Sequence, residues 1–117
     1  MEQSEIDALV DDIRDGMLHA WEKSGWIQFA VGNDKQGFCM MGAFYRATMR
    51  DQCLMQVWRQ AVKDTIEDLF PGRPANVESF NDRTFTTRED VELCAKHAFE
   101  RMKPLLGKMI NGPDAVT

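Results

Sequence analysis

The sequence has few of the residues on which redox and metal chemistry usually depend. It contains three cysteines, Cys39, Cys53 and Cys94, and two histidines. No two cysteines form a CxxC pair and their number is odd, so neither a disulfide framework nor a zinc knuckle is predicted. We therefore predict no metal and no cofactor. We also expect the protein to reside in a reducing compartment, and the cytoplasm is the simplest candidate.

Long apolar runs are also missing. No segment approaches the roughly 18 continuous apolar residues that a transmembrane helix needs. The first residues are acidic, whereas a signal peptide begins with basic residues followed by an apolar stretch. The sequence therefore predicts neither a signal peptide nor a membrane-spanning segment, and we expect no membrane partner.

Basic charge is not concentrated in the way that a nucleic-acid-binding protein requires. The net charge is −5, and residues 1–24 hold seven acidic side chains against two basic ones. The rest of the chain carries twelve acidic and twelve basic side chains, so the whole net charge lies on the first segment. Because phosphate binding needs a basic patch, we expect no nucleic acid partner. We interpret the acidic residues as the solvated face of a helix.

Apolar residues recur at three- and four-residue spacing in three segments, which predicts three amphipathic helices. The segments are approximately residues 5–24, 52–70 and 87–103. Ser4 as an N-cap, and Thr86 with Glu89 as a capping box, mark two of the starts. Pro104 is expected to kink or end the last helix near Lys103, because proline has no backbone N–H to donate.

Residues 39–50 carry apolar or small side chains almost all round a helical wheel. Such a helix is typical of the centre of a fold, so we predict that the other helices wrap this segment on nearly every side. Gly42 lowers the stability of the helix, and its expected use is to let another backbone approach closely.

A mainly α-helical fold follows from these segments: about four helices packed around the buried central helix 39–50. The β-favouring segment 26–31 and the turn 32–37 predict a small β-hairpin or extended segment after the first helix. Residues 75–85 are predicted to form a loop. Because no core pattern continues beyond Leu106, we predict one domain over residues 1–106 and a flexible tail over 107–117.

Three short motifs occur in order along the chain. They are Gly25-Trp26-x-Gln28, Cys39-x-x-Gly42-Ala43, and Asn81-Asp82 followed by Thr87-x-Glu89-Asp90-Val91. Together they resemble an uncharacterised family of small domains found in actinomycete bacteria and their phages. This chain has Phe80 where that family tends to have Trp, and Phe29 where Gly often follows the Gln. The resemblance implies a source of that kind and carries no known activity.

The best candidate site consists of polar and aromatic residues in or beside the loops that flank the central helix. A pairing of Asp82 with Arg46 would bring Gln28, Arg46 and Asp82 together as a site for a small ligand or an anion. The structural interpretation is that Asn81 and Asp82 fix their loop and cap the last helix, while Gln28 holds the hairpin. The candidate residues are Trp26, Gln28, Cys39, Arg46, Asn81 and Asp82.

Catalytic arrangements are weakly supported. A cysteine nucleophile needs a base, and the candidate set is Cys39, His97 and Asp82, although nothing in the sequence brings His97 near Cys39. We interpret Cys39 as a small buried residue at a helix start. Cys94 and His97 lie one turn apart, but a metal site would need two more ligands. No GKS/T or GxGxxG loop for phosphate binding is present.

These exclusions favour a binding protein without enzymatic activity. We predict an accessory protein of a phage or a bacterium that binds a protein partner or a second copy of itself. Leu93 and His97, one turn apart on the outer side of the last helix, are the candidate interface. Two alternatives stay open: a domain that binds a small ligand or anion at Gln28, Arg46 and Asp82, and a small enzyme that uses Cys39 and His97.

Overall fold

The structure, a computed structural model, describes residues 1–112 of the chain. These residues form five α-helices and one two-stranded antiparallel sheet. In chain order the elements are α1 (Gln3–Ser24), β1 (Gly32–Asn33), β2 (Gly37–Phe38), α2 (Met40–Thr48), α3 (Gln52–Leu69), α4 (Val77–Asp82) and α5 (Arg88–Asn111). The predicted mainly α-helical fold with a small hairpin after the first helix is confirmed.

An aromatic stack lies at the centre of the core. The ring of Trp58 in α3 lies 4.9 Å from that of Phe44 in α2 and 4.5 Å from that of Phe99 in α5, measured between ring centroids. All three side chains are buried. Stacked pairs of this kind contribute roughly 0.5–1.5 kcal/mol each beyond the burial of their area. The stack therefore holds α2, α3 and α5 together.

Burial of α2 is confined to its first half. Residues 40–44 are buried, whereas Arg46, Met49 and Arg50 are exposed. The wrapping predicted for residues 39–50 is therefore complete only as far as Phe44; beyond it Tyr45, Ala47 and Thr48 are half-buried, and the other side of the segment meets solvent. The helix ends where Met49 and Arg50 adopt left-handed backbone conformations, with φ of 55° and 65°.

The close approach predicted at Gly42 is confirmed. A Cβ atom at this position would overlap the carbonyl oxygen of Val31. The same oxygen accepts a hydrogen bond from the backbone N–H of Cys39 at 3.3 Å. Gly42 therefore allows the segment after α1 to lie directly on the first turn of α2.

The two β-strands lie later in the chain than the β-favouring segment 26–31, where a strand was predicted. Residues 26–31 make one isolated bridge, between Trp26 and Phe38, and the ladder joins Gly32 to Phe38 and Asn33 to Gly37. The hairpin thus returns through Phe38 as expected, but the segment before it is irregular, with bends at residues 28–30 and a left-handed backbone at Phe29. Its backbone is held by side chains of α4, as described below.

The predicted loop 75–85 contains the short helix α4. Asn76 is its N-cap, and the Asn76 side chain accepts a hydrogen bond from the N–H of Ser79 at 2.8 Å. Val77 and Phe80, three residues apart, are buried. A helix of six residues is unstable in isolation, so α4 depends on these tertiary contacts.

The helix starts differ slightly from the predicted caps. The capping box of α1 consists of Glu2 and Glu5, and Ser4 lies inside the helix. The capping box of α5 consists of Thr87 and Asp90, one residue later than the predicted pair of Thr86 and Glu89.

The last helix was predicted to kink or end near Lys103, and the end is wrong, because α5 continues through Pro104 to Asn111. Leu106 and Gly107 in this final part are buried, and their packing stabilises helix beyond the proline. Residues 107–111 of the predicted tail are therefore helical, and residues 113–117 lie outside the described part of the chain.

Candidate functional site

Asn81, in the last turn of α4, is the centre of a hydrogen-bond network. Its Oδ1 accepts from Trp26 Nε1 at 2.6 Å and from the backbone N–H of Met40 at 3.0 Å. Its Nδ2 donates to the carbonyl oxygen of Ile27 at 3.1 Å and to Asp82 Oδ1 at 2.9 Å. These four bonds use the full capacity of a carboxamide. Since Asn81 is 1% exposed, it has no polar group left for a ligand.

Gln28 and Asp82 extend this network. Gln28 Nε2 donates to the carbonyl oxygens of Asn81 at 2.9 Å and Arg83 at 2.7 Å. Asp82 Oδ1 accepts from the backbone N–H of Phe29 at 2.8 Å. The irregular segment 26–29 after α1 is thereby fastened to α4. We call Trp26, Gln28, Asn81 and Asp82 the brace.

The brace brings together four of the six predicted site residues and matches the structural interpretation in most respects. Asn81 and Asp82 hold their loop, and Gln28 holds the segment next to the hairpin. The structure differs from that interpretation in which helix the brace caps. Asn81 bonds to Met40 at the start of α2, whereas α5 is capped by Thr87.

Cys39 adjoins the brace as the N-cap of α2. Its Sγ accepts a hydrogen bond from the backbone N–H of Gly42 at 3.3 Å. Burial raises the pKa of the Cys39 thiol above its ordinary value, and the charge of Asp82 acts in the same direction, although the hydrogen bond from Gly42 opposes them. A buried thiol with a raised pKa is a poor nucleophile at neutral pH.

Arg46 lies away from the brace. Its guanidinium pairs with the carboxylate of Asp34 in the hairpin turn at 3.5 Å, and both side chains are mostly exposed. Arg46 lines a different surface depression from the one that Asn81 and Asp82 line. Within residues 1–112 the predicted pairing of Asp82 with Arg46 is therefore not formed, because Arg46 pairs with Asp34.

His97 is also remote from Cys39. It lines a depression of about 340 Å³ between α1 and α5, together with Leu18 and Glu100, whereas Cys39 lines the depression beside α4. The described residues thus contain no pairing of the Cys39 thiol with the His97 imidazole. Leu93 and His97 are both exposed on α5, as the sequence predicted.

Cys94, the other residue of the possible metal pair with His97, is buried in the core. Burial raises the pKa of its thiol to about 12. Within residues 1–112 no three His, Cys, Asp or Glu side chains are grouped so that they could hold a metal ion.

Thiol reactivity provides a direct test of this arrangement. Cys53 is exposed, whereas Cys39 and Cys94 are buried. Near neutral pH, iodoacetamide should modify Cys53 first, and the other two thiols should react roughly tenfold or more slowly. Mass spectrometry of the protein and its peptides follows each site, and Cys53→Ser should leave a nearly inert chain. Rapid modification of Cys39 would contradict the burial and favour the enzyme alternative.

A pocket of about 250 Å³ lies beside the brace, and we call it the α4 pocket. Phe29, Met41 and Val77 form apolar walls, and Glu78 and Asp82 supply carboxylates. Two hydrogen bonds from Arg59, at 2.6 and 3.0 Å, lower the pKa of the Glu78 carboxyl below its ordinary value. Acidic side chains in the lining disfavour an anion as the ligand.

A second depression, of about 390 Å³, adjoins the α4 pocket and shares Val31 and Tyr45 with it. Met49, Arg46 and Arg50 line its other side. The guanidinium of Arg50 lies over the ring of Tyr45, 5.2 Å from the centroid. We call Phe29, Val31, Tyr45 and Met49 the apolar face. Its basic end is Arg46 and Arg50, and its acidic end is Glu78 and Asp82.

The backbone of the apolar face is strained. Phe29, Met49 and Arg50, with φ of 67°, 55° and 65°, are the three non-glycine residues with positive φ within residues 1–112. A left-handed conformation costs an ordinary L-residue about 1 kcal/mol or more relative to glycine. Phe29 and Met49 are 73% and 89% exposed, so burial in the isolated chain does not offset that cost. Strain of this kind is typical of functional sites.

The sequence did not single out Phe29 or Met49 as functional residues. One signal was present at Phe29, which stands where the resembled family often has Gly. Met49 had no comparable signal, because its exposure depends on where the other helices leave α2 uncovered.

A comparison with family models found a match over residues 5–101 to DUF6197, described as a family of unknown function. The chain belongs to this family. The matched range includes all residues of the brace and of the apolar face. The predicted membership of an uncharacterised domain family is confirmed, while the source in actinomycetes or their phages stays a prediction.

Comparisons with curated proteins and with solved structures found no significant match. None of the helices in the described residues has the length and apolar character needed to cross a membrane.

Proposed function

We propose that this DUF6197 domain is a binding protein that recognises another protein chain through its apolar face. One observation carries the proposal. Phe29 and Met49, the two most exposed large apolar side chains of the described residues, both adopt left-handed backbone beside adjoining depressions. An apolar patch rimmed by polar residues is typical of protein interaction sites.

The surrounding residues support binding in preference to catalysis. The polar atoms of Asn81 are used within the fold, and Cys39 has a raised pKa and lies apart from His97. The site therefore offers shape and apolar area. The motif resemblance and the three free cysteines support an accessory role in the cytoplasm of a bacterium, encoded by the bacterium or by its phage.

A small ligand is the second candidate, and the α4 pocket favours it, because Cys39, Asn81 and Asp82 all line this pocket. Its volume of about 250 Å³ lies just below the roughly 300–1,000 Å³ of typical ligand sites. Such a ligand would be largely apolar with one donor group for Asp82. A compound that binds there should raise the melting temperature with increasing concentration.

Glycine substitutions at the apolar face should separate stability from binding. Phe29→Gly and Met49→Gly relieve left-handed strain, so each should leave the melting temperature unchanged or raise it by roughly 2–4 °C. The double variant should nevertheless lose binding, because both side chains are removed. Thermal denaturation monitored by circular dichroism measures the first effect, and a clear fall in melting temperature would contradict it.

Binding is measured by affinity capture from an actinomycete lysate with the wild type, the double glycine variant and Leu93→Ser. Leu93 is 45% exposed on α5 and tests the interface that the sequence predicted. A protein captured by the wild type and Leu93→Ser, but depleted about fivefold or more by the double variant, supports the proposal. Loss with Leu93→Ser alone would locate the interface on α5, and equal capture by all three would contradict the proposal.

A further inference from the structure

We propose that the pair Asn111-Gly112 at the end of α5 is a site of spontaneous deamidation, and that its isoaspartate product releases this helix end from the start of α1. Among the four asparagines of the sequence, Asn111 alone is followed by glycine. Deamidation begins when the backbone nitrogen of the next residue approaches the carboxamide carbon. Glycine has no Cβ to hinder that approach, and it reaches the required backbone conformations readily.

The reaction needs water as its only co-reactant. The nitrogen of Gly112 forms a bond to Cγ of Asn111, the bond between Cγ and Nδ2 breaks, and ammonia leaves with the proton that the Gly112 nitrogen loses. The resulting succinimide ring then takes up one water molecule. Opening at Cγ gives aspartate, whereas opening at the backbone carbonyl gives isoaspartate. The main chain of isoaspartate runs through Cβ and Cγ and is one atom longer.

The last turn of α5 opens at low cost. Residues 108–111 are exposed, and the last buried residue of the helix is Gly107. One backbone hydrogen bond restrains the attacking nitrogen, from the N–H of Gly112 to the carbonyl oxygen of Lys108 at 2.8 Å. Terminal turns with few buried contacts open far more often than a whole chain unfolds. The fold therefore slows the reaction at this site without preventing it.

The other three asparagines are less suited to the reaction. Asn81 is buried, and all four hydrogen bonds of its carboxamide are formed within the fold. Asn76 is followed by the β-branched Val77, which hinders the approach of the backbone nitrogen. Asn33 precedes Asp34, and its Oδ1 accepts hydrogen bonds from two backbone N–H groups of the turn. These three residues serve as internal references for the rate at Asn111.

The carboxamide of Asn111 links the end of α5 to the residue at the start of α1. Its Nδ2 donates to the carbonyl oxygen of Met1 at 2.9 Å, and its Oδ1 accepts from the Met1 amino group at 3.3 Å. Aspartate keeps the acceptor but loses the donor. Isoaspartate also lengthens the main chain, so the hydrogen bond from Gly112 to Lys108 no longer fits. We therefore expect the last turn of α5 to unwind in the isoaspartate form.

Incubation of the full chain in mildly alkaline buffer, followed by peptide mass spectrometry, tests the site. Conversion at Asn111 should be about tenfold or more faster than at the other three asparagines. Urea above the unfolding transition should accelerate it further, because the N–H of Gly112 is then free. Asn111→Gln places the carboxamide one methylene further away and should abolish conversion at this position. Conversion at Asn111 no faster than at Asn33 overturns the proposal.

Hydrogen exchange tests the structural consequence on the product itself. The isoaspartate form, separated by ion-exchange chromatography, should exchange the backbone amides of residues 108–112 several times faster than the unconverted chain. The amides of α3 should exchange at the same rate in both forms, which establishes that the fold is retained. Unchanged exchange in residues 108–112 overturns the proposed release of the helix end. So does a conversion rate that urea leaves unchanged, because the last turn would then be open already.

Discussion

Replacing Asn81 with alanine should lower the free energy of unfolding by about 3 kcal/mol or more. The substitution removes four hydrogen bonds from a buried position and leaves Trp26 Nε1, the N–H of Met40 and the carbonyl of Ile27 without this partner. Each unsatisfied buried group costs roughly 1–3 kcal/mol, although the costs do not add fully. Urea denaturation measures the change in the free energy of unfolding.

Two comparison variants make this result specific to the network. Asn76→Ala, on the same helix, removes one exposed capping bond and should cost about 1 kcal/mol. Asn81→Asp keeps the accepting oxygen but removes both donors and places a carboxylate beside Asp82, so it should also be strongly destabilising. If Asn81→Ala costs no more than Asn76→Ala, the brace is not what holds segment 26–29 on α4.

Substitution of Gly42 by alanine should also destabilise the fold, by about 3 kcal/mol or more. Helix propensity alone predicts the opposite, a gain of about 1 kcal/mol from replacing a glycine inside a helix. The tertiary contact decides the sign, because the new Cβ would overlap the carbonyl oxygen of Val31. That backbone must shift, and the hydrogen bond from Cys39 to Val31 is then lost.

Gly16→Ala in α1 is the matched control. A Cβ at residue 16 would meet the Cβ of Ala47 at 3.5 Å, which is ordinary van der Waals contact. This variant should therefore be neutral or should gain up to about 1 kcal/mol from helix propensity. Equal effects of the two substitutions in urea denaturation would contradict the close approach at Gly42. Because Phe29 and Val31 belong to the displaced segment, Gly42→Ala should also weaken binding through the apolar face.

The long helices show what periodicity can predict. In α3 the apolar spacing predicted one inward face, and its middle residues Trp58, Ala61, Val62, Thr65 and Ile66 are buried, whereas Leu54 is half-buried and Leu69 is exposed at the ends. Each of these helices buries one face over many turns, so the pattern is visible in the residues themselves. The helix α4 has too few turns to show such a pattern, and α5 passes through a proline that local rules treat as its end.

The candidate site was predictable in part. Trp26, Gln28, Asn81 and Asp82 were grouped from their motifs and positions beside loops, and the structure brings them together. Arg46 was assigned to the same group because its charge lay on an apolar helix. Only the arrangement of the elements showed that Arg46 lies on an exposed side of α2 and pairs with Asp34 instead.

The residues alone determined the helical class, the extent of α1 and α3 and the need for a close contact at Gly42, because these depend on spacing along the chain and on the size of a side chain. Tertiary structure decided which of the polar groups satisfy one another, which end of α2 meets solvent, and that Phe29 and Met49 lie on one exposed face. Those outcomes depend on contacts between segments that are distant in sequence, and no local pattern encodes such contacts.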